Sequence, residues 1–395
     1  MLQAPRAAPA DRLALIARAR ETVFAGGGQD AIACHSPGLL GVEPWVARSW
    51  KRCLARGQKP TAPLGFDVLT AEASRRSADA NHTLAQAAKP VLQRLGRAIA
   101  NTHYFAILTN LDGVVVDVDG PIDRSDRRAR LITRIGVDLS ERSVGTTAIG
   151  AALAELQPVW MHRGEHFFND NRAYSCAGAP LFGPYGHCVG MLDLTGIDTV
   201  ERPELRHLVT QSARHIENAL TLARPHRLVL RINWSGDALG DESDGLLVLD
   251  SDGWVTGANV AARQMAPVLN TLPAGSAPVE MGMHSISLTT VPVLTHASEL
   301  FALPWEQLFD AALNVAPVEL PLWSGLRLSG LAQGVGDMPL APLNRAGRAP
   351  PHLKDVEAAM IQKAISAAHG NISLAAKQLG ISRATVYRRL HEKRH

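Results

Sequence analysis

Ser382, Arg383, Thr385, Tyr387, Arg388, Arg389 and Lys393 crowd one short stretch of the chain. Arginine forks bond guanine edges bidentately, and Ser, Thr and Lys reach phosphates or base edges. The set has the chemistry to hold duplex DNA. Apolar spacing supplies the elements that must position it. Ile372, Ala376, Leu379, Ile381, Val386 and Leu390 form a seam between a short helix and a last one. Gly380 provides a turn free of side-chain clash, and Ser382 is a good N-cap. Ahead of them, Leu353, Val356, Met360, Ala364, Ile365 and Ala368 mark one face of a helix that Gly370 stops. This is helix-turn-helix spacing, with Arg383 and Thr385 in the first turn of the recognition helix, where phosphate is favoured. The blander alternative is an interaction module with a solvated basic face.

Charge distribution favours the DNA reading. Residues 346–395 carry nine Lys/Arg against three Asp/Glu, while residues 225–345 hold five Arg, no Lys and twelve Asp/Glu. A basic end on an acidic middle is expected to meet a polyanion. A Pro-, Ala- and Arg-rich stretch at 339–352 without apolar period reads as a linker.

A second group of chemistry-bearing residues lies upstream. Tyr104, Thr146, Thr147, Trp160, His162, Glu165, His166, Phe167, Tyr174 and Cys176 are the candidate ligand-binding set. Trp and Tyr bring apolar walls plus a donor, which a small oxygenated ligand needs; each is equally a candidate core residue. The spacing around them predicts an amphipathic helix over 83–101, with Leu84, Ala88, Val91, Leu92, Leu95 and Ile99 on one face, and a hairpin, Tyr104–Thr109 with Val114–Val118. A helix starting at Gly145-Thr146-Thr147 and strands Val159–His162, Tyr174–Phe182 and Cys188–Leu194 follow. A helix from Pro203 to Ala223 closes a compact α+β unit. His162 to His166 spell H-x-x-E-H, but zinc-protease chemistry needs a helix there, and a strand exit with a central Gly disfavours one. Cys176 and Cys188 form a redox pair only if they face each other. A turn at Pro184–Tyr185 puts Cys188 opposite Leu181 and Cys176 opposite Asp193, beyond disulfide reach.

The segment GNISLAAKQLGISRATVYRRL resembles the Fis-type helix-turn-helix of bacterial enhancer-binding regulators. SWKRCLARG, SVGTTAIGAALAELQPVWMHRGEHF and YSCAGAPLFGPYGHCVGMLDLTG resemble the GAF-type sensory region of acetoin- and glycerol-metabolism activators, the AcoR type. The resemblance implies a sensor of a small metabolite whose terminal helices pair subunits, and a dimer on a roughly palindromic site. Two positions depart from the pattern. Thr147 stands where the family commonly has Asn, and Tyr174 where it commonly has Trp, so the ligand need not be acetoin. GLLVLDSDGWVTGANVAARQM, with the later helix ELFALPWEQLFDAAL and strand pair VELPLWSGLRLSGLAQ, resembles a PAS-type domain, read either as a spacer or as a second pocket. AcoR-type activators place an AAA+ ATPase between sensor and DNA-binding unit. No G-x-x-x-x-G-K-[ST] loop occurs in this sequence, Gly26-Gly27-Gly28 lacks the following Lys, and no GAFTGA segment is present.

The expected fold class is multidomain α+β: an N-terminal helical segment (1–80), a GAF-like sensor (81–224), a PAS-like domain (225–338), the linker (339–352) and an all-α Fis-type helix-turn-helix (353–395). The expected function is that of a non-enzymatic, ligand-responsive bacterial transcription regulator without sigma-54 ATPase activity. Its expected partners are double-stranded operator DNA, a small-molecule effector, RNA polymerase and a second copy of itself. No cofactor and no metal are called for, and the setting is the cytoplasm. The alternative function is a redox-, metal- or haem-responsive DNA-binding sensor using the His and Cys residues of the GAF-like region. With 46% apolar and 19% charged residues the chain is globular in balance. No apolar run long enough to span a bilayer is present, so no membrane role is expected.

Overall fold

A computed structural model describes residues 9–25, 42–237, 239–270, 295–314 and 317–334. All of these belong to one compact unit, Met1–Gly336. The helix-turn-helix residues lie outside them.

Four helices come first: α1 (Pro9–Ala25), α2 (Pro44–Ala55), α3 (Ala71–Ala80) and α4 (His82–Ala98). Next are β1 (Tyr104–Asn110) and β2 (Val115–Asp119), then α5 (Arg127–Ile132), α6 (Glu141–Val144) and α7 (Ala148–Glu155). The first sheet is completed by β3 (Val159–His162), β4 (Tyr174–Phe182) and β5 (Cys188–Ile197), and α8 (Leu205–Leu222) follows it. Its order is β2-β1-β5-β4-β3, antiparallel throughout.

The sheet is buried on both sides because its central strands are apolar on both. In β1, Phe105 and Ile107 join the core under α2 and α7, while Tyr104, Ala106 and Leu108 join the core under α4 and α8. The predicted face of α4 is the one it buries: Leu84, Ala88, Val91, Leu92 and Leu95, with Pro90 tolerated inside the helix. Gly96 completes that face, because a Cβ there would run into the Asp119 carboxylate. Gly178 does the same for α7. A Cβ at that position would sit 2.6 Å from Met191 Cε and 3.2 Å from the Ala148 carbonyl oxygen.

The second sheet takes β6 (Leu228–Trp234), β7 (Gly245–Leu249) and β8 (Val255–Ala258). Helices α9 (Val260–Met265), α10 (Ala297–Leu300) and α11 (Glu306–Asn314) come next, then β9 (Pro317–Pro321) and β10 (Arg327–Gly334). Its order is β8-β7-β6-β10-β9, again antiparallel. Strand β6, at the middle of that sheet, has no counterpart in the sequence reading. Asn259 caps α9: its Oδ1 accepts from the Ala262 N–H at 2.9 Å.

One register differs from expectation. The loop after β4 turns through Gly183–His187, with Gly183 N–H donating to the His187 carbonyl, and the ladder slips at Leu181/Phe182. Cys188 therefore faces Phe182 and Cys176 faces Thr195, not Leu181 and Asp193. The longer loop with its irregular pair moves the register. Cys176 and Cys188 stay free thiols, about 20 Å apart along the strands at about 3.3 Å per residue.

Candidate ligand cavity

Helix α2 carries the SWKRCLARG motif, and the motif is a clamp. Its Ser49, Arg52 and Arg56 share one face and converge on Glu141 at the start of α6. Glu141 accepts from Ser49 Oγ at 2.6 Å, from Arg52 Nε and Nη2 at 2.8 and 2.7 Å, and from Arg56 Nη1 at 2.8 Å. Burial pushes the Glu141 carboxyl up, but these hydrogen bonds outweigh it and hold the group below its ordinary value. Ser49 Oγ, its proton given to Glu141, accepts from Thr146 Oγ1 at 2.7 Å, and Arg48 and Arg52 pair with Glu155 at the end of α7. Trp45, Trp50 and Cys53 on the same helix are buried.

Helix α1 packs beside α2, with Phe24 5.3 Å from the Trp50 ring, and holds the segment that follows β3. The HRGEHF segment leaves β3 through a 3-10 turn, Arg163–Glu165, with Arg163 at φ 47°. It is not a helix, so the two histidines do not share a face as i, i+4 ligands must. Arg20 donates to the carbonyl oxygens of Gly164 (2.9 Å), His166 and Phe167 (2.9 Å) and to Asn169 Oδ1 (3.2 Å). Glu165 accepts from the His162 N–H at 2.6 Å and pairs with Arg12 at 3.0 Å, and Trp50 Nε1 donates to its carbonyl at 2.8 Å. Burial drives the Glu165 carboxyl upward, and Arg12 opposes that.

On the α7 side of the sheet lies a cavity of about 30 Å³. Its apolar wall includes Phe66, Ile107, Ile132, Leu139, Val144 and Ile149, and its polar wall is Thr147, His166, Asn171, Tyr174, Cys176, Asp193 and Thr195. Thr147 holds its place as N-cap of α7, accepting from Gly150 N–H at 3.2 Å. His166 Nδ1 lies 2.9 Å from the Arg163 carbonyl, which can only accept, so this nitrogen carries the proton and Nε2 is bare. Burial lowers the imidazole to about 4, which keeps it neutral. Cys176 Sγ lies 3.8 Å from that Nε2 and 3.3 Å from Thr195 Oγ1, and burial raises its thiol well above the ordinary value. Thr195 donates in turn to Asp193 Oδ2. Burial pushes Asp193 up to about 7. Two buried oxygens on this wall, Asp193 Oδ1 and Asn171 Oδ1, have no hydrogen-bond partner.

Of the ten sequence candidates, four line this cavity: Thr147, His166, Tyr174 and Cys176. The other six stand elsewhere. Tyr104, Trp160 and His162 face α4 and α8, across the sheet. There Tyr104 donates to the Val200 carbonyl at 3.0 Å, Trp160 stacks on His162, and His162 Nδ1 bonds Ser175 Oγ at 2.7 Å. Thr146 turns to α2, Glu165 to Arg12, and Phe167 packs edge-on against Phe24 and Phe168. Alternation decides the split. Met161 pairs with Cys176, so Trp160 and His162 must point the other way. Asp193, Thr195 and Asn171 were not among the sequence candidates for the site. Strand alternation in MLDLT carries Asp193 and Thr195 to the face of Met191, and that signal was readable. Ser382, Arg383, Thr385, Tyr387, Arg388, Arg389 and Lys393 lie outside the described residues.

The model of the MimR N-terminal domain matches residues 46–218, which hold this whole cavity, and that of the Fis family of bacterial regulatory proteins matches residues 352–392. The chain is of the AcoR/MimR type and carries a Fis-type helix-turn-helix. Relatives of this type include the acetoin catabolism regulatory protein of Cupriavidus necator, 32% identical over 56% of this chain and 34% of its own length. The propane 2-monooxygenase operon activator MimR of Mycolicibacterium goodii is 29% identical over 54% of this chain and 34% of its own. This AcoR/MimR-type chain thus aligns with about a third of each relative's length, and it lacks a full AAA+ domain. The E. coli DhaR(N)–DhaL complex structure is similar at a TM-score of 0.43 and 15% identity, covering 74% of this chain and 100% of that one. No helix of the described residues is long and apolar enough to cross a membrane.

Proposed function

We propose that this protein is a ligand-responsive, sequence-specific transcriptional regulator. A small metabolite enters the cavity of a GAF-like sensor (81–224), and a dimer changes how its two Fis-type helices match operator half-sites. A PAS-like region (225–338) serves as the spacer between them. Ser382, Arg383, Thr385, Tyr387, Arg388, Arg389 and Lys393 contact operator DNA. The observation that carries the reading is one chain joining a Fis-family match to a sensor-family match with a partly polar cavity inside it. The ligand works only through a differential affinity for two arrangements of the dimer. With no full AAA+ domain, the protein acts by recruiting RNA polymerase or blocking it, in the cytoplasm, without ATP hydrolysis.

A gel-shift titration over a salt series tests this. Arg388→Ala is expected to weaken operator binding by about 1–3 kcal/mol, and wild-type affinity to fall steeply with salt. A chain with no preference among genomic fragments refutes the proposal. Promoter-stimulated ATP hydrolysis by purified protein refutes the mechanism without the motor.

A further inference from the structure

We propose that the cavity takes a small neutral molecule bringing two hydrogen-bond donors, a short-chain diol, rather than a donor-free ketone. This rests on the reading of the cavity as the effector site. A volume of about 30 Å³ holds about two waters, so the occupant is short. Ile107, Ile132, Leu139, Val144 and Ile149 suit its hydrocarbon part.

The polar wall specifies the rest. Its imidazole, thiol and Thr195 hydroxyl are engaged with one another, as above. The Tyr174 hydroxyl also lines the cavity, but the buried side-chain atoms of this wall that lack a partner are two oxygens. Asn171 donates through Nδ2 to the Val144 carbonyl at 3.1 Å, which fixes the amide so that the unpaired atom is Oδ1. Asp193 takes the Thr195 hydroxyl on Oδ2 and keeps Oδ1 unpaired, in a residue with no exposed surface; burial lifts its carboxyl to about 7, so above that pH it is ionised and Oδ1 is an acceptor. A buried acceptor without a donor is costly, and a ligand O–H at each would remove that cost. Above about pH 7, where Asp193 is ionised, a ketone brings another acceptor to the same wall and satisfies neither oxygen.

The test is thermal unfolding of the full chain at about pH 8.5, where Asp193 is ionised, across concentration series of ethane-1,2-diol and propane-1,2-diol, with acetone and butan-2-one as donor-free probes. The diols are expected to give a saturating rise in Tm, and the ketones none. Asp193→Asn and Asn171→Ser should each shift half-saturation by tenfold or more, while Trp323→Ala, on the second sheet, should leave it unchanged. Each variant's own cooperative melt certifies that it folds, and either one suffices if the other does not. Saturation by ketones and not diols overturns the ligand class and leaves the cavity as effector site. No saturation by any probe counts against both. A linear, unsaturating diol effect that persists in Asp193→Asn is a solvent effect and overturns the proposal.

Discussion

The two sheets share three strand pairings and differ in one. Numbering strands within each, first beside second, first beside fifth and fifth beside fourth recur; the third strand pairs with the fourth in one sheet and with the second in the other. The helical insertion therefore falls after the second strand in the first sheet and after the third in the second. Their polar interiors differ more. In the second sheet Asn259 uses its whole amide: Oδ1 takes the N–H groups of Leu246 and Ala262, and Nδ2 gives to Asp244 O and Asn218 Oδ1. Arg263 is spent on the carbonyls of Ala258, Leu269 and Pro184. Among the described residues, every buried side-chain polar atom without a partner belongs to a residue before Leu228. Satisfied polar groups hold a fold together, whereas unsatisfied ones beside a void are poised for something else to complete them. The first region is built to receive, the second to hold.

The largest effect expected from that contrast is at Asp193. Its carboxyl titrates near 7 in the fold and near 3.8 when exposed. Between those values the folded state holds the extra proton, so stability falls as pH rises from about 4 to about 7. Asp193→Asn removes that decline. The stability gap between variant and wild type should widen by about 4 kcal/mol from pH 4 to pH 8, read by urea unfolding. His166 has the opposite sign. Held neutral down to about 4, it makes stability rise with pH until about 6.5, so the variant should show a rising limb that Asp193 masks in the wild type. Parallel pH profiles for the two proteins would show that Asp193 is already paired and the contrast false.

Asn259→Ala tests the satisfied side. It strips the cap of α9 and orphans the Leu246 N–H and Asp244 carbonyl, so a loss of about 2–3 kcal/mol is expected at any pH. Arg20→Ala comes next at about 2 kcal/mol. Arg20 remains a cation at neutral pH, since burial and then Arg172 lower it only to about 10, and its removal leaves three carbonyls unpaired. Because those carbonyls belong to the segment carrying His166, Arg20→Ala should also weaken diol binding, and Asn259→Ala should not. Equal effects of both variants on binding would erase the distinction between the regions.

The first sheet was largely legible because its strands are bounded by turn signals and its helices are strongly amphipathic. Tyr174–Phe182 has the bounds that the sequence predicts, and the buried face of α4 was read residue by residue. Strand β6 was not, because Arg231 and Asn233 interrupt a short apolar run and its partners come from both sequence directions. The cavity was half legible. Thr147 and Tyr174, the two departures from the family pattern, both reached its wall. Trp160 and His162 were chosen for side-chain type although alternation assigns them to the face opposite Met161. Asp193 was read only as a register partner of Cys176, because a lone acid in an apolar strand carries no local motif; only the fold brings it to the wall that Asn171 shares.

The smallest expected effect is the most discriminating for the second region. Trp323 is 53% exposed in the turn between β9 and β10, and its indole donates to the Ser298 carbonyl at 2.9 Å. An exposed hydrogen bond and a half-covered ring contribute little, so Trp323→Ala should cost no more than about 0.5 kcal/mol and leave the Asp193 pH profile untouched. Trp234, 42% exposed, ends β6 opposite Leu328, one residue beyond the Arg327–Pro321 pair that opens that turn. If this region only spaces sensor from DNA-binding unit, Trp323→Ala should also leave operator affinity unchanged with and without diol. A variant of unaltered stability and altered operator response would mean that the turn touches another macromolecule. The second sheet would then be a receiving surface too, differing from the first in taking its partner from outside the core.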